Sequence, residues 1–472
     1  MKHLYLTFAF LAIAGSAVAQ TSEPQIYDIF QANQISGNGE WMIGRSNSWV
    51  DPDDGYHYKE SSIINVKTGE LYGTGDLFTL TPFSRAISSK GIAIQSTYDV
   101  NTNGMDVPYL IVPGQEPIQL LELYKTGPYA RHDCYAVAIN DDATMFLGYY
   151  EQFPIQYPFI CNINSDYSIG EPEYLPLPSK DIFGDDYFYV ELTAMSDDGN
   201  TIAGMVVSVI ESGAVKTLPI VYKRTSNGGW TFSYPVEKMI DFTNPDACIS
   251  FYDPQSPQVA LSPDGKLFAC TQAIETNLNN FDIYKVWTVD LTTGEINIIQ
   301  SENPDIVATR ILNDGTVIGT FFATINVSYV WKPGYKDFVD FITYVDGLNP
   351  EYGTWMKDNL MQTVIDVDND GQQFEVEMPV TGQVFVSDDM STFCAGFMTY
   401  EYDEWYNNKL WSYVFTDFKT SGITAAEVVK VENNDVYNLQ GLKVASNASA
   451  EEINNLPAGI YIINGKKVAI RK

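Results

Sequence analysis

AMSDDGNTIAG at 194–204 and ALSPDGKLFA at 260–269 are two copies of one pattern. An apolar residue precedes Ser or Asn, a polar turn follows, and then comes a short apolar strand that often ends in Gly. Five more copies read QISGNGEWMIG at 34–44, AISSKGIAI at 86–94, AINDDATMFLG at 138–148, ILNDGTVIG at 311–319 and VSDDMSTFCAG at 386–396. The aligned polar residues are Ser36, Ser88, Asn140, Ser196, Ser262, Asn313 and Ser387, spaced 52, 52, 56, 66, 51 and 74 residues apart. A recurring unit of that size means a solenoid or a propeller. Asp and Gly at each turn supply the side-chain hydrogen bonds and positive φ that a hairpin needs.

Further strand-like runs complete the unit. LPIVYKR at 218–224 and WTFSYPV at 230–236 follow the Ser196 copy; KVWTVDL at 285–291 and EINIIQ at 295–300 follow the Ser262 copy. Four antiparallel strands make a propeller blade. Helical periodicity is almost absent, which excludes helical solenoids. The expectation is an all-β chain: a seven-bladed β-propeller over 20–418 with a small C-terminal β-sandwich-like domain over 419–472. PQIYDIF at 24–30 has no partner of its own, and the last unit supplies only three strands. Residues 24–30 are therefore expected to complete the last blade as its outer strand and remove two exposed edges. Gly91 lacks a preceding Asp, and Ala143 and Met390 stand where Gly is expected, so those turns are expected to adopt another geometry.

SPDGKLFA followed by VWTVDLTTGE resembles a TolB-type propeller blade. AINDDATMFLG, AMSDDGNTIAG and SYVWKPG at 328–334 resemble extracellular HAF-type repeats. VYNLQGLKVA at 436–445 and LPAGIYIINGKKVAIRK at 456–472 resemble the C-terminal sorting domain of Bacteroidetes type IX secretion substrates. That last resemblance implies export across the outer membrane, through the secretion machinery, with release or surface attachment.

Residues 1–19 read as a signal peptide. Lys2 and His3 precede the apolar run Leu4–Ala14, and Ala17-Val18-Ala19 is an A-x-A cleavage site. No later apolar segment reaches the ~18 residues of a membrane-spanning helix. The chain is expected to be extracytoplasmic, secreted or at the cell surface, with the periplasm as the alternative. Its charge is 27 − 60 = −33, which disfavours nucleic acid and anionic membranes. Five cysteines show no metal-ligand spacing. They read as small buried hydrophobes, with a Cys248–Cys270 disulfide as an alternative.

Catalytic constellations are few. Beyond the signal peptide the only histidines are His57 and His132, and there is no GxSxG elbow. His132 lies where a blade enters its inner strand. Carboxylates are abundant, so a glycosidase-type pair stays open. DVDNDGQQFEVE at 366–377 fits a calcium loop, with Asp366, Asp368 and Asp370 at positions 1, 3 and 5, the Gln372 carbonyl at 7 and Glu377 at 12. The competing reading is a hairpin with a polar turn. No cofactor is required, and calcium is the one ion the sequence offers. An insertion at about 335–380 carries the only helix-like patterning.

Three functions compete. The first is a non-catalytic exported propeller that binds a glycan, peptide or protein. The second is a carboxylate-based glycan hydrolase or lyase. The third is a structural cell-surface protein. The acidic hairpin turns share one rim, so a ligand is expected on the opposite face or at the insertion.

Overall fold

In a computed structural model the chain divides into two units, Met1–Lys419 and Thr420–Lys472. Described are residues 23–418, less 51–56, 74–85, 100–104, 153–154, 182–183, 185, 188, 210–214, 238–258, 278–279, 301–305, 322–325, 368–372 and 401–407. In the second unit they are 436–438, 443–445, 456, 459–463 and 466–470. The signal-peptide reading and Cys248 lie outside the described residues. No helix among those described is long and apolar enough to cross a membrane.

The larger unit is a seven-bladed β-propeller. Blade 1 is Gln31–Ile35, Trp41–Val50, His57–Asn65 and Leu71–Gly73. Blade 2 is Ala93–Asp99, Met105–Ile111 and Ile118–Gln119, with a single bridge, Ile87 to Ala93, at its inner edge. Blade 3 is Asp133–Ile139, Met145–Gln152, Ile155–Asn162 and Glu173–Tyr174. Blade 4 is Tyr189–Met195, Thr201–Val209, Val215–Arg224 and Trp230–Ser233. Blade 5 is Val259–Leu261, Leu267–Asn277, Asn280–Asp290 and Ile296–Gln300. Blade 6 is Ile306–Ile311, Val317–Phe321, Val327–Trp331 and Val339–Asp340. Blade 7 is Val384–Val386, Phe393–Tyr400, Asn408–Phe415 and, outermost, the N-terminal strand Gln25–Tyr27. The expected closure is thus formed, with Gln25 opposite Val414 and Tyr27 opposite Ser412.

The repeated motif is the turn from the inner strand to the second strand. Ser196 is fully buried. Its hydroxyl donates to Asp198 Oδ1 (2.7 Å) and accepts from Thr201 N (3.0 Å). Ser36, Ser262 and Ser387 make the same pair of bonds. In every blade but the sixth, the backbone enters the left-handed region three residues after the motif Ser or Asn. Ala143 (φ 52°) and Met390 (φ 56°) do so as Gly199 (φ 67°) does. The expectation of a different geometry for Gly91, Ala143 and Met390 is therefore corrected. The turn is fixed by its hydrogen bonds, and a side chain at positive φ is tolerated at a local cost of about 1 kcal/mol. Blade 6 brings a second correction. Gly315 N bonds the Leu312 carbonyl, so Leu312 holds the motif position and Asn313 lies one residue later.

Position motif +1 builds a ring around the propeller axis. Asn38 N donates to Ser89 Oγ (3.1 Å), Ser89 N to Asp141 O (3.0 Å) and Asp141 N to Asp197 O (3.3 Å). Asp197 N donates to Pro263 O (2.8 Å), and Asp264 N to Asn313 Oδ1 (3.0 Å). An Arg310–Asp388 ion pair joins blades 6 and 7, and Asp388 N donates to Gly37 O (2.8 Å). Each blade is therefore tied to the next. We call this side the turn face and the opposite one, where the chain enters its inner strands, the far face.

Inner strands also carry bulges, at Ala32/Gln34, Leu192/Ala194 and Ala308/Arg310. The freed amides bond hydroxyls of the preceding blade: Ala32 N to Ser412 Oγ (2.8 Å), Ala136 N to Ser96 Oγ (2.7 Å) and Ala308 N to Thr271 Oγ1 (2.8 Å). Hydrophobic cores fill the gaps between blades, as where Ile94 and Leu110 of blade 2 meet Phe146 and Tyr150 of blade 3. Cys134, Cys161, Cys270 and Cys394 are buried free thiols. Cys270 therefore forms no disulfide.

Between blades 6 and 7 the chain inserts helices Phe341–Leu348 and Pro350–Leu360 and the hairpin Met361–Val367/Gln373–Pro379. The helices bury Phe341, Val345, Tyr352 and Met356 against Phe393 and Phe415 of blade 7. Asp340 and Asn349 cap them by accepting from Thr343 N and Tyr352 N. Val380 N bonds Leu360 O, and Thr381 Oγ1 accepts from Ser328 N just ahead of the blade 7 inner strand. The root of the hairpin thus sits on the far face.

The smaller unit shows one antiparallel sheet, in the order Lys443–Ala445, Val436–Asn438, Gly459–Ile463, Lys466–Ile470. Both sequence-derived strand pairs are present. A second layer, which a sandwich requires, is not seen among the described residues.

Candidate functional site

On the far face, strand ends of blades 2, 3 and 4 bring together carboxylates and tyrosines. Tyr135 and Tyr149 stand opposite each other in blade 3, and their rings stack with centroids 4.9 Å apart. Two register steps away, Asp133 faces Glu151. Blade 2 contributes Asp106, whose amide donates to Asp133 Oδ1 (2.8 Å) and whose carboxylate accepts from the Tyr135 hydroxyl (2.9 Å). Blade 4 contributes Glu191, the exposed residue between buried Val190 and Leu192.

Electrostatics distinguishes Asp106, Glu151 and Glu191 from the other acids among the described residues. Asp106 is held above its ordinary carboxyl value, first by burial and further by the charge of Asp133, against the lowering effect of the Tyr135 bond. Burial raises Glu151 too, with Asp133 and Asp106 adding repulsion. Glu191 is raised by desolvation, although water reaches it. The hydroxyls of Tyr135 and Tyr149 are pushed up by burial and by these same carboxylates. The Ser-bonded turn-face acids Asp198 and Asp389 behave oppositely. Burial is the largest influence on Asp198 and Asp389 and raises both, but hydrogen bonds from the motif Ser and neighbouring groups outweigh it and leave them below their ordinary value.

A pH prediction follows from the sign of the Glu191 shift. A raised carboxyl contributes stability that is complete below its unfolded value, about 4.3, and is lost as pH rises through the folded value. Glu191→Gln is therefore expected to be slightly more stable than the parent at pH 7, by about 0.5 kcal/mol after allowing for solvent screening. Equal stability is expected near pH 4. Thermal melts at the two pH values test this, and a less stable variant at pH 7 would contradict it.

A second acidic group lies on the axis. Asp141, Asp197 and Asp388 each place one carboxylate oxygen within 4.8 Å of the others. These are the motif +1 residues of blades 3, 4 and 7, which the sequence reading had assigned to turn chemistry. The Ser-bonded turn acid is the next residue, as in Asp198 and Asp389.

The proposed calcium ligands fall partly outside the described residues, namely Asp368, Asp370 and Gln372. Asp366 pairs with Phe374 and Glu377 with Thr363, three register positions apart in the hairpin. His132 is a part-buried loop residue ahead of the blade 3 inner strand, its Nδ1 3.2 Å from Tyr129 O. None of Asp106, Asp133, Tyr135, Tyr149, Glu151 or Glu191 was singled out from sequence. The available signal was an acid inside otherwise apolar strands, as in DCYAVAI and YVELTAM.

No known family and no curated protein matches the sequence. Solved structures match at the level of fold. TolB from Acinetobacter baumannii aligns with a TM-score of 0.37 and 12% identity over 64% of this chain and 63% of that one, less than two thirds of its length. The β-propeller domain of the Trilobed protease from Pyrococcus furiosus gives 0.43 and 11% over 85% and 98%. The polysaccharide lyase Uly1 gives 0.46 and 7% over 86% and 91%.

Proposed function

We propose that this chain is an exported propeller that binds, without catalysis, a peptide or protein segment carrying a basic side chain, seated on the far face of blades 2–4. The observation that carries this reading is the stacked Tyr135–Tyr149 pair ringed by Asp106, Asp133, Glu151 and Glu191. Three of those carboxyls are raised, so each gains when a cation arrives. A guanidinium can stack on a tyrosine face and bond carboxylates in its own plane. Anionic polymers are repelled by the −33 charge. Export rests on the Lys2–Ala19 leader pattern and on the likeness of 436–472 to a sorting domain.

The raised Glu151 and Glu191 also suit a general acid, which keeps the glycan hydrolase as the second reading. Titration calorimetry of the mature chain separates the two. Short Lys- or Arg-containing peptides are expected to bind more tightly than their Gln counterparts, with affinity falling as salt rises. Equal binding of the Gln peptides, or turnover of a neutral oligosaccharide, would refute the proposal.

A further inference from the structure

We propose that Arg310 is a built-in counter-ion that closes the turn-face end of the propeller axis, taking the place of a metal ion among Asp141, Asp197 and Asp388. The argument does not depend on what binds the far face. In a seven-membered ring, blade 7 stands across the axis from blades 3 and 4. Carboxylate oxygens from these blades still lie within 4.8 Å of one another, so the side chains span the axis and leave no wide opening there. Three like charges at that separation repel one another, and their part-buried setting weakens the screening by water. A cation among them removes the conflict. Blade 6 supplies one: the Arg310 guanidinium bonds Asp388 Oδ1, and both side chains are only about a quarter exposed, 25% and 21%.

The location gives this cation a second role. Of the seven blade-to-blade links in the ring, those between blades 1 and 6 use backbone amides as donors, and so does the link from blade 7 to blade 1. The link between blades 6 and 7 is the Arg310–Asp388 ion pair. This is also the junction that the long insertion interrupts. Blade 6 reaches position +1 with the shortened turn of Leu312 and Asn313, and Asn313 is engaged with Asp264 of blade 5. The guanidinium, planar and permanently charged, spans the remaining gap and neutralises the axial acids at once.

The test is thermal melting of the chain and its variants, all carrying Asp366→Asn and Glu377→Gln so that the candidate calcium loop cannot respond, with and without millimolar Mn²⁺ or Ca²⁺. The parent is expected to show no shift with either ion. Arg310→Met should melt several degrees lower and recover part of that loss when the ion is added, because three aspartates without their counter-ion make a hard-oxygen site. The double variant Arg310→Met/Asp388→Asn should melt above Arg310→Met and lose the ion response; it also serves if Arg310→Met fails to fold. Arg310→Lys should keep most of the parent stability and stay ion-insensitive. An ion shift in the parent, an Arg310→Met variant as stable as the parent, or a double variant that melts no higher than Arg310→Met would each overturn the proposal.

Discussion

A chain lacking residues 1–30 is expected to lose more stability than any surface change could cause. The missing piece carries the outer strand of blade 7 and Phe30. Phe30 is fully buried between blades 7 and 1, packed with Met42, Ile64, Cys394 and Val414. Losing such a side chain alone costs about 3–5 kcal/mol. Ser412 is affected as well, since its hydroxyl bonds both Phe30 O and Ala32 N and so joins the closing strand to the first blade. The strand Asn408–Phe415 would be left as an open edge, which invites association. Denaturant unfolding should give a loss of at least the Phe30→Ala amount, together with a tendency to oligomerise. An unchanged midpoint would mean that the N-terminal strand is not what closes the ring.

Gly204→Ala is the second large effect. In blades 1, 3, 4 and 6 the motif glycine on the second strand lies against a bulge in the inner strand. A Cβ at Gly204 would collide with the Glu191 carbonyl oxygen and crowd Leu192 Cα. Gly44 meets the Gln31 carbonyl in the same way, and Gly396 meets the Ala32 backbone of the next blade. Backbone cannot yield as a side chain can, so Gly204→Ala is expected to cost about 3 kcal/mol, the upper range of overpacking. Gly73→Ala is the control: among the described residues no atom lies within 4 Å of its Cβ, and it should stay within about 0.5 kcal/mol of the parent. Equal stability of both variants would show that the bulge does not require glycine.

These glycines explain why the blades were legible. Ser, Asp and Gly recur because the turn and the bulge each have a local requirement that few residues meet. The count of seven, the closing strand and the helical insertion all follow from that pattern. It misled where the backbone overrode the side chain. Ala143 and Met390 keep the left-handed turn without glycine, and Leu312 keeps the motif position without a hydroxyl. The two Asp residues of SDDG looked alike in sequence. Only the structure separates Asp198, bonded to Ser196, from Asp197, which faces the axis.

The far-face group was illegible for a different reason. Asp106, Tyr135 and Glu191 are far apart in sequence and come from three blades, so no local spacing links them. What joins them is blade twist and the stagger of strand ends, which a period-two pattern does not encode. What marks the far-face acids is electrostatic: Asp106, Glu151 and Glu191 are raised, whereas the turn acids Asp198 and Asp389 are lowered.

The central claim is that a basic ligand sits on the far face among these residues. The most direct measurement is calorimetric titration of an Arg-containing peptide into three proteins: the parent, the Asp106→Asn/Glu191→Gln pair and the turn-face variant Asp264→Asn. The account predicts a loss of about ten- to a hundredfold in affinity for the far-face pair, one to two charge-assisted bonds' worth, and parent affinity for Asp264→Asn. Equal affinity in the parent and the far-face pair, or a loss confined to Asp264→Asn, would contradict it.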